Sequence, residues 1–284
     1  MSNIAGEPSG NALMGAGLMP QLFLGVLMCF VLYALLFAAE ALYKMYRRLG
    51  TSRIELAPLT YVAPNAETIF QDPNNPLSKT VFISDNELTG VEFSYSYFLN
   101  VNSNSFGTNA GLRHIFHKGN ANIYPIMGPG VFMKNETNTL RVYMNSYATW
   151  NNYVDIENVP IGKWFHIAMV CQKNGMDIYL NGNIIKKLNF TNSAPYQNYG
   201  DICIFSPNGI NLTNTIVPST DPSGLNILKQ SPMSGMMSRL YYYNYALSYS
   251  EIQRLMNEGP NPQMKSTASL STPPYLTDNW WVSQ

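Results

Sequence analysis

The stretch Pro160–Phe190, PIGKWFHIAMVCQKNGMDIYLNGNIIKKLNF, admits few folds. Trp164 to Cys171 is a breaker-free apolar run with Val and Ile, the length and composition of a strand buried on both faces. Lys173-Asn174-Gly175 ends it. Met176 to Leu180 follows, then Asn181-Gly182, a pair that tolerates the positive φ angles of a type I′ turn, and Asn183 to Leu188 runs back. The spacing predicts three antiparallel strands and a register. With Asn181 and Gly182 as the loop, Leu180 faces Asn183, Ile178 faces Ile185, and Asp177 faces Lys186 as an opposite-charge pair.

The pattern P-x-G-K-W-x-H-x-A-x-V, followed by x-I-Y-L-N-G, resembles the laminin-G-like branch of the concanavalin A-like lectin/glucanase superfamily. Gly90–Phe98 is similar to that family's early strand, Ile115–Gly119 to its I-F-x-K-G strand end, and Gly235–Gly259 to its closing segment. The resemblance implies an all-β fold, a two-sheet antiparallel jelly-roll sandwich, over about residues 67–260. It is far less specific for function, because one fold hosts lectins, hydrolases, adhesion modules and structural domains.

Composition removes other classes. Lys plus Arg equals Asp plus Glu at 17 each among 284 residues, so no basic field points to nucleic acid. Cys29, Cys171 and Cys203 are an odd number, one in an apolar helix candidate and two in strand candidates, which reads as free thiols. A Cys171–Cys203 bridge would need their strands side by side.

Residues 1–17 are small and polar, with Glu7 the one charged side chain. Residues 18–46 are expected to form a transmembrane helix, since Leu22 to Ala39 carries no charge and apolar residues extend it at both ends. Leu22, Phe23, Leu24, Phe30, Leu35 and Phe37 are among the residues that favour insertion, together by about 3 to 6 kcal/mol. A cleaved signal peptide would want a basic n-region, and Lys and Arg are absent before the run. Lys44, Arg47, Arg48 and Arg53 follow it, so the positive-inside rule places the C-terminal domain on the cytoplasmic face. The sequons at Asn135, Asn189 and Asn211 pull the other way, but Asn-rich chains produce such triplets by chance.

Residues 47–66 read as a Pro-punctuated linker and 67–260 as the sandwich. Strands are expected at 80–84, 91–99, 114–117, 121–126, 140–145, 153–156, 202–206 and 236–243, besides the central meander. Asn208–Pro232 reads as a long surface loop. Ser248 to Glu251 is a capping box opening a short helix, Tyr249–Asn257. Residues 261–284 form a Ser/Thr/Pro tail whose aromatic end, Tyr275, Leu276, Trp280 and Trp281, is expected to dock a partner, the competing readings being that it folds back on the sandwich or lies at the membrane interface.

The superfamily's glucanases use paired carboxylates on one strand. The nearest string here, Tyr153-Val-Asp155-Ile-Glu157, has Tyr where the first acid would fall, so no glycoside hydrolysis is expected. His166 is expected to be a core histidine, and His114 and His117 give no metal-ligand spacing with it. Calcium is the cofactor the resemblance implies for some members, but Asp201, Asn208 and Asp221 match no ligand set, so no cofactor is expected. Trp150 and Tyr153 are rim aromatics that could stack on sugar, although strand aromatics more often serve the core.

The chain is therefore expected to be a non-enzymatic, membrane-anchored module whose partners are the lipid bilayer and proteins or carbohydrate. Two functions fit: a virion assembly protein, such as a minor capsid protein linking an internal membrane to a protein shell, and a surface lectin-like carbohydrate-binding or adhesion module. Cytoplasmic placement favours the first.

Overall fold

Strand-forming runs broken by Asn, Gly and Pro dictate a mostly β chain, and the computed structural model describes residues 18–50, 53–84, 90–190, 193–212 and 227–265. The chain divides into two units, residues 1–52 and 53–284. The first holds helix α1 (Leu18–Gly50), whose apolar stretch Gln21–Tyr43 is long enough to cross a membrane and contains no buried residue. Leu22, Phe23, Leu24, Phe30, Leu35 and Phe37 are all exposed on it.

The second unit contains β1 (Arg53–Val62), β2 (Glu67–Ile69), β3 (Phe93–Val101), β4 (Leu112–Gly119), β5 (Met127–Lys134), β6 (Leu140–Met144) and β7 (Asn152–Ile156). It continues with β8 (Trp164–Gln172), β9 (Gly175–Leu180), β10 (Asn183–Asn189), β11 (Ile202–Ile204), β12 (Ile210–Leu212), β13 (Ile227–Gln230), β14 (Gly235–Tyr243) and helix α2 (Tyr249–Glu258). Sheet A runs β1-β14-β3-β8-β9-β10. Sheet B runs β12-β13-β4-β5-β6-β7, with β11 bridging β4 and β2. All pairs are antiparallel except β13 with β4.

Between the sheets lies the core. Tyr97 of sheet A meets Phe116 of sheet B edge to face at 5.1 Å, and Tyr95 meets Tyr242 at 5.1 Å. Each large side chain withdrawn here contributes about 1.5 to 3 kcal/mol. Sheet A is also covered outside: Ile252 and Leu255 of α2 pack on Ala168, Val170, Tyr241 and Tyr243. That cover explains why β8 is buried on both faces and why Tyr241 to Tyr243 alternate, with Tyr242 turned into the core. α2 starts at the expected capping box, with Glu251 reaching back to the Ser248 amide.

Several boundaries differ from the sequence reading. Half of the expected linker 47–66 is β1, an edge strand whose register shifts on both sides of Ala57 make room for Pro58, so the sandwich begins at Arg53. Segments 80–84 and 121–126 are not strands, whereas β5, full of Gly and Pro, is one. The Asn208–Pro232 loop includes β12 and β13, and its residues 213–226 lie outside the described residues. Cys171 and Cys203 are free thiols in opposite sheets.

The meander register is also corrected. Asn183 does face Leu180, but a bulge at Ile185 shifts the rest, so Lys186 faces Ile178 and Lys187 faces Asp177, its ammonium 3.3 Å from the carboxylate. The extra residue exchanges Lys187 for Leu188 opposite buried Met176, which puts an apolar side chain against the core. The turn keeps its chemistry, with Asn181 at φ 47 and Gly182 at φ 77. Gly182→Val is expected to lower stability by about 1 to 3 kcal/mol, because a β-branched residue is strained there. An unchanged urea midpoint would refute this account of the turn.

Candidate binding face on the second sheet

The outer side of sheet B is set by strand alternation. Phe132, Arg141 and Asp155 lie directly opposite one another across β5, β6 and β7, and the next row holds Gly130, Tyr143 and Tyr153. Tyr143 and Tyr153 rings are 5.6 Å apart, and Phe132 meets Tyr143 edge-on at 5.7 Å. The loop before β5 folds over this row, burying Ile123 and leaving Tyr124 half-exposed against Trp150 at 5.3 Å. Buried Asn145 ties these loops together: its Oδ1 accepts from the Met127 amide, and its Nδ2 donates to Trp150 O at 2.8 Å and Pro125 O at 3.3 Å. The result is a strip of half-exposed aromatics, Tyr124, Trp150 and Tyr153, its loops tied by Asn145 and its Tyr153 ring packed against Tyr143.

Beside the strip stands an ionic group. Arg141 donates to both Asp155 oxygens at 2.7 and 2.8 Å and lies 4.1 Å over the Tyr153 ring, while Lys134 reaches Asp155 Oδ2 at 2.6 Å. Burial pushes the Asp155 carboxyl up, but hydrogen bonds from Arg141 and Lys134 outweigh it and hold it below the usual carboxylate range. A carboxylate clamped by two cations is a poor general acid. Glu157 is exposed past the end of β7, and Tyr153 occupies the position of the missing acid.

The same side continues into buried polar chemistry. A bulge between His114 and Phe116 turns His114 and His117 to one side of β4. The Ser206 amide donates to His114 Nδ1 at 3.0 Å, and His117 Nε2 lies 2.9 Å from Asn120 O, which can only accept. The 2.7 Å contact between the rings must then run from His114 Nε2–H to His117 Nδ1, so both rings are neutral. Burial lowers both pKa values, that of His117 to about 4. Nearby, the Lys118 ammonium donates to Asn198 O and Gly200 O at 2.8 and 2.7 Å, and Lys229 donates to Ser206 Oγ and Asn208 O. Burial lowers both lysines to about 8. These contacts, invisible to pattern reading, need strands distant in sequence to be brought together.

Of the residues singled out from sequence, Trp150, Tyr153 and Asp155 do share this face. His166 lies in sheet A, its Nε2 2.8 Å from Ser96 Oγ and its Nδ1 buried without a partner. The Asp201 carboxylate accepts from the Gln71 amide, and no group of three or more His, Cys, Asp or Glu that could hold a metal occurs among the described residues. Asn135 is a buried sequon, its Oδ1 held by Arg113 at 2.7 Å and its Nδ2 by Asn109 O at 2.6 Å, so the folded domain leaves no room for a glycan there. Arg53 begins β1 and stacks 4.1 Å over Tyr241, while Lys44, Arg47 and Arg48 fall in the last turns of α1. Asp221 and the expected docking residues Tyr275, Leu276, Trp280 and Trp281 lie outside the described residues, and neither fold nor family bears on a virion role.

A laminin-G model of the concanavalin A-like lectin/glucanases superfamily matches residues 75–253. No curated protein matches the chain. Among solved structures, it is similar to the binding domain of botulinum neurotoxin DC in a complex, at 15% identity, TM-score 0.39, 59% of this chain and 35% of that one. It is also similar to the ligand-binding domain of botulinum neurotoxin serotype D in complex with N-acetylneuraminic acid, at 11% identity, TM-score 0.42, 72% of this chain and 51% of that one. The receptor-binding domain of the mosaic serotype C/D toxin gives 11% identity, TM-score 0.45, 72% and 51%. The chain thus spans about a third to a half of these toxin domains' chains. With the family model covering more than half of its length, the chain belongs to the concanavalin A-like lectin/glucanases superfamily.

Proposed function

We propose that this protein is a membrane-anchored, non-enzymatic binding module that recognises carbohydrate on the outer face of sheet B. The observation that carries the reading is the strip of Tyr124, Trp150 and Tyr153, half-exposed, with the loops of Tyr124 and Trp150 tied together by Asn145 and the Tyr153 ring packed under Arg141. Rigid aromatics stack on the apolar face of a sugar ring at little entropic cost, and the Arg141–Asp155–Lys134 group supplies donors and acceptors for hydroxyls. The clamped Asp155 without a second carboxylate speaks for binding rather than hydrolysis. In this reading α1 is the anchor, the basic residues after it favour the cytoplasmic face, and the carbohydrate recognised is then on that face rather than the surface glycan of an adhesion module.

A panel of neutral and acidic oligosaccharides titrated calorimetrically against the full chain in lipid nanodiscs is expected to yield a ligand. The double variant Trp150→Ala, Tyr153→Ala should weaken it at least about 30-fold, the scale of two aromatic hot spots. Equal binding by the variant, or no ligand in the panel, overturns the assignment of this face. Orientation has its own readout: endoglycosidase sensitivity at Asn189 or Asn211 in the native host would place the domain across the membrane instead.

A further inference from the structure

The two ends of the sandwich differ in chemistry. The end where β1 starts is defined by Arg53, which faces Tyr243, which in turn lies a residue pair from Phe93 and Cys171 in the neighbouring strands. Three loops gather there. The 70–84 segment is pinned to it, because Lys79 donates to the carbonyls of Glu55 and Leu56 at 3.0 Å and Phe82 O accepts from the Tyr242 hydroxyl, whose residue faces Ile54. The 193–200 segment follows, since Gln197 Oε1 accepts from the Ser84 amide at 2.9 Å and the Tyr147 amide donates to Ala194 O. The 145–151 loop is held by that last bond.

These loops turn large apolar side chains to solvent. Leu77 is 78% exposed, Phe82 58%, Tyr147 72% and Tyr199 70%, and Ile83 is exposed beside Phe82. At the opposite end, marked by Val62, Val101, Trp164 and Leu180, Ile161 is the large exposed apolar side chain in the described loops. Other exposed apolar residues, Ile184 and Ile185 on β10, Tyr249 and Met264, lie along the flanks. Soluble surfaces rarely concentrate apolar side chains in this way without a partner.

The geometry points to the bilayer surface as that partner: the Arg53 end of the sandwich rests on the membrane, with Leu77, Phe82, Ile83, Tyr147 and Tyr199 in the headgroup region. This inference rests on the reading of α1 as a membrane span. The apolar stretch ends at Tyr43, and the helix continues to Gly50, about 10 Å further at 1.5 Å per residue. Three peptide units then lead to Arg53, adding at most about 11 Å. A tether this short lets the Arg53 end reach the lipid headgroups, and the side chains on it are those that membrane interfaces favour, Tyr and Phe among them.

Fluorescence quenching in phosphatidylcholine–phosphatidylserine vesicles tests this with the full chain. Bimane is attached at Phe82→Cys, Tyr199→Cys or Ile161→Cys in a Cys29→Ala, Cys203→Ser background, with Cys171 left buried. A fourth sample carries it at native Cys29, and the vesicles contain doxyl-labelled lipid near the headgroups or near the bilayer centre. Headgroup-proximal doxyl is expected to cut emission at residues 82 and 199 by about half and to leave residue 161 unchanged, with Cys29 quenched by the central doxyl. If Cys29 is quenched while residues 82 and 199 behave like 161, the membrane-resting surface is refuted and the anchor stands. If Cys29 escapes quenching, the anchor reading fails and takes this inference with it.

Discussion

Lowering the pH from about 7.5 to about 4.5 is expected to remove on the order of 6 kcal/mol from the stability of the sandwich, enough to unfold a domain of ordinary stability. His114, His117 and His166 are all buried, and burial holds His117 and His166 at about 4 and His114 well below its ordinary value. Each folded value lies below the unfolded one of about 6.5, so the unfolded chain binds more protons as pH falls. The stability is present above about 6.5 and is lost toward about 4. A single ring held at about 4 instead of about 6.5 is worth about 3 kcal/mol, and the full sum is not reached because His114 and His117 titrate together.

Geometry supports the same outcome independently. In the run from Ser206 to Asn120 every ring nitrogen already has its donor or acceptor role assigned. An added proton turns an acceptor into a donor and breaks either the bond to Ser206 or the bond between the rings. The Asp155 cluster cannot imitate this effect, because its carboxyl is held below the ordinary range and loses its stabilisation at still lower pH. Urea midpoints of residues 53–265 at the two pH values measure the loss. Equal midpoints would mean that the three rings stay accessible to protons in the folded state.

What the sequence discloses follows from the range over which each feature is determined. The Asn181-Gly182 turn, the Ser248 capping box and the in-out alternation of Tyr241 to Tyr243 depend on neighbours in the chain, and all are present. The family motifs place the strands that carry them. By contrast, β5 reads as a loop, since Gly128, Pro129 and Gly130 oppose strand propensity. Ladders to β4 and β6 on its two sides override that preference. β1 is hidden by Pro58 in the same way. The bulge at Ile185 is decided by which residue, Lys187 or Leu188, meets Met176, a question that turn chemistry cannot answer.

The candidate face shows the same division. Trp150, Tyr153 and Asp155 are visible as a cluster along β7 and its preceding loop, yet their partners are not. Lys134 sits at the end of the unexpected β5, Arg141 is one strand away, and Tyr124 comes from a segment expected to be a strand. The histidine pair needs a bulge, because residues three apart on a regular strand point to opposite faces. Contacts of this kind are properties of the assembled sheet.

Asn198→Ala should cost on the order of 4 kcal/mol. Asn198 is buried where the loop before β11 crosses the ends of β4 and β5. Its Nδ2 donates to Gly128 O at 2.9 Å and Lys118 O at 3.2 Å, and its Oδ1 accepts from the Gly200 amide at 2.9 Å. Alanine leaves those three backbone groups without this partner in a site with little room for water, since a Cβ placed on Gly200 would come within 2.6 Å of the Gly119 backbone. A buried group left unpaired costs about 1 to 3 kcal/mol, whereas alanine at exposed Asn189 should cost less than about 0.5 kcal/mol. Asn198→Asp should fall between them. It keeps an acceptor for Gly200 and brings a charge toward the Lys118 ammonium, but it turns a carboxylate oxygen against two carbonyl oxygens. Urea midpoints at pH about 7.5, where the histidines are neutral in both states, decide the order. If Asn198→Ala is no worse than Asn189→Ala, the crossing is held by Lys118 and the glycine contact alone.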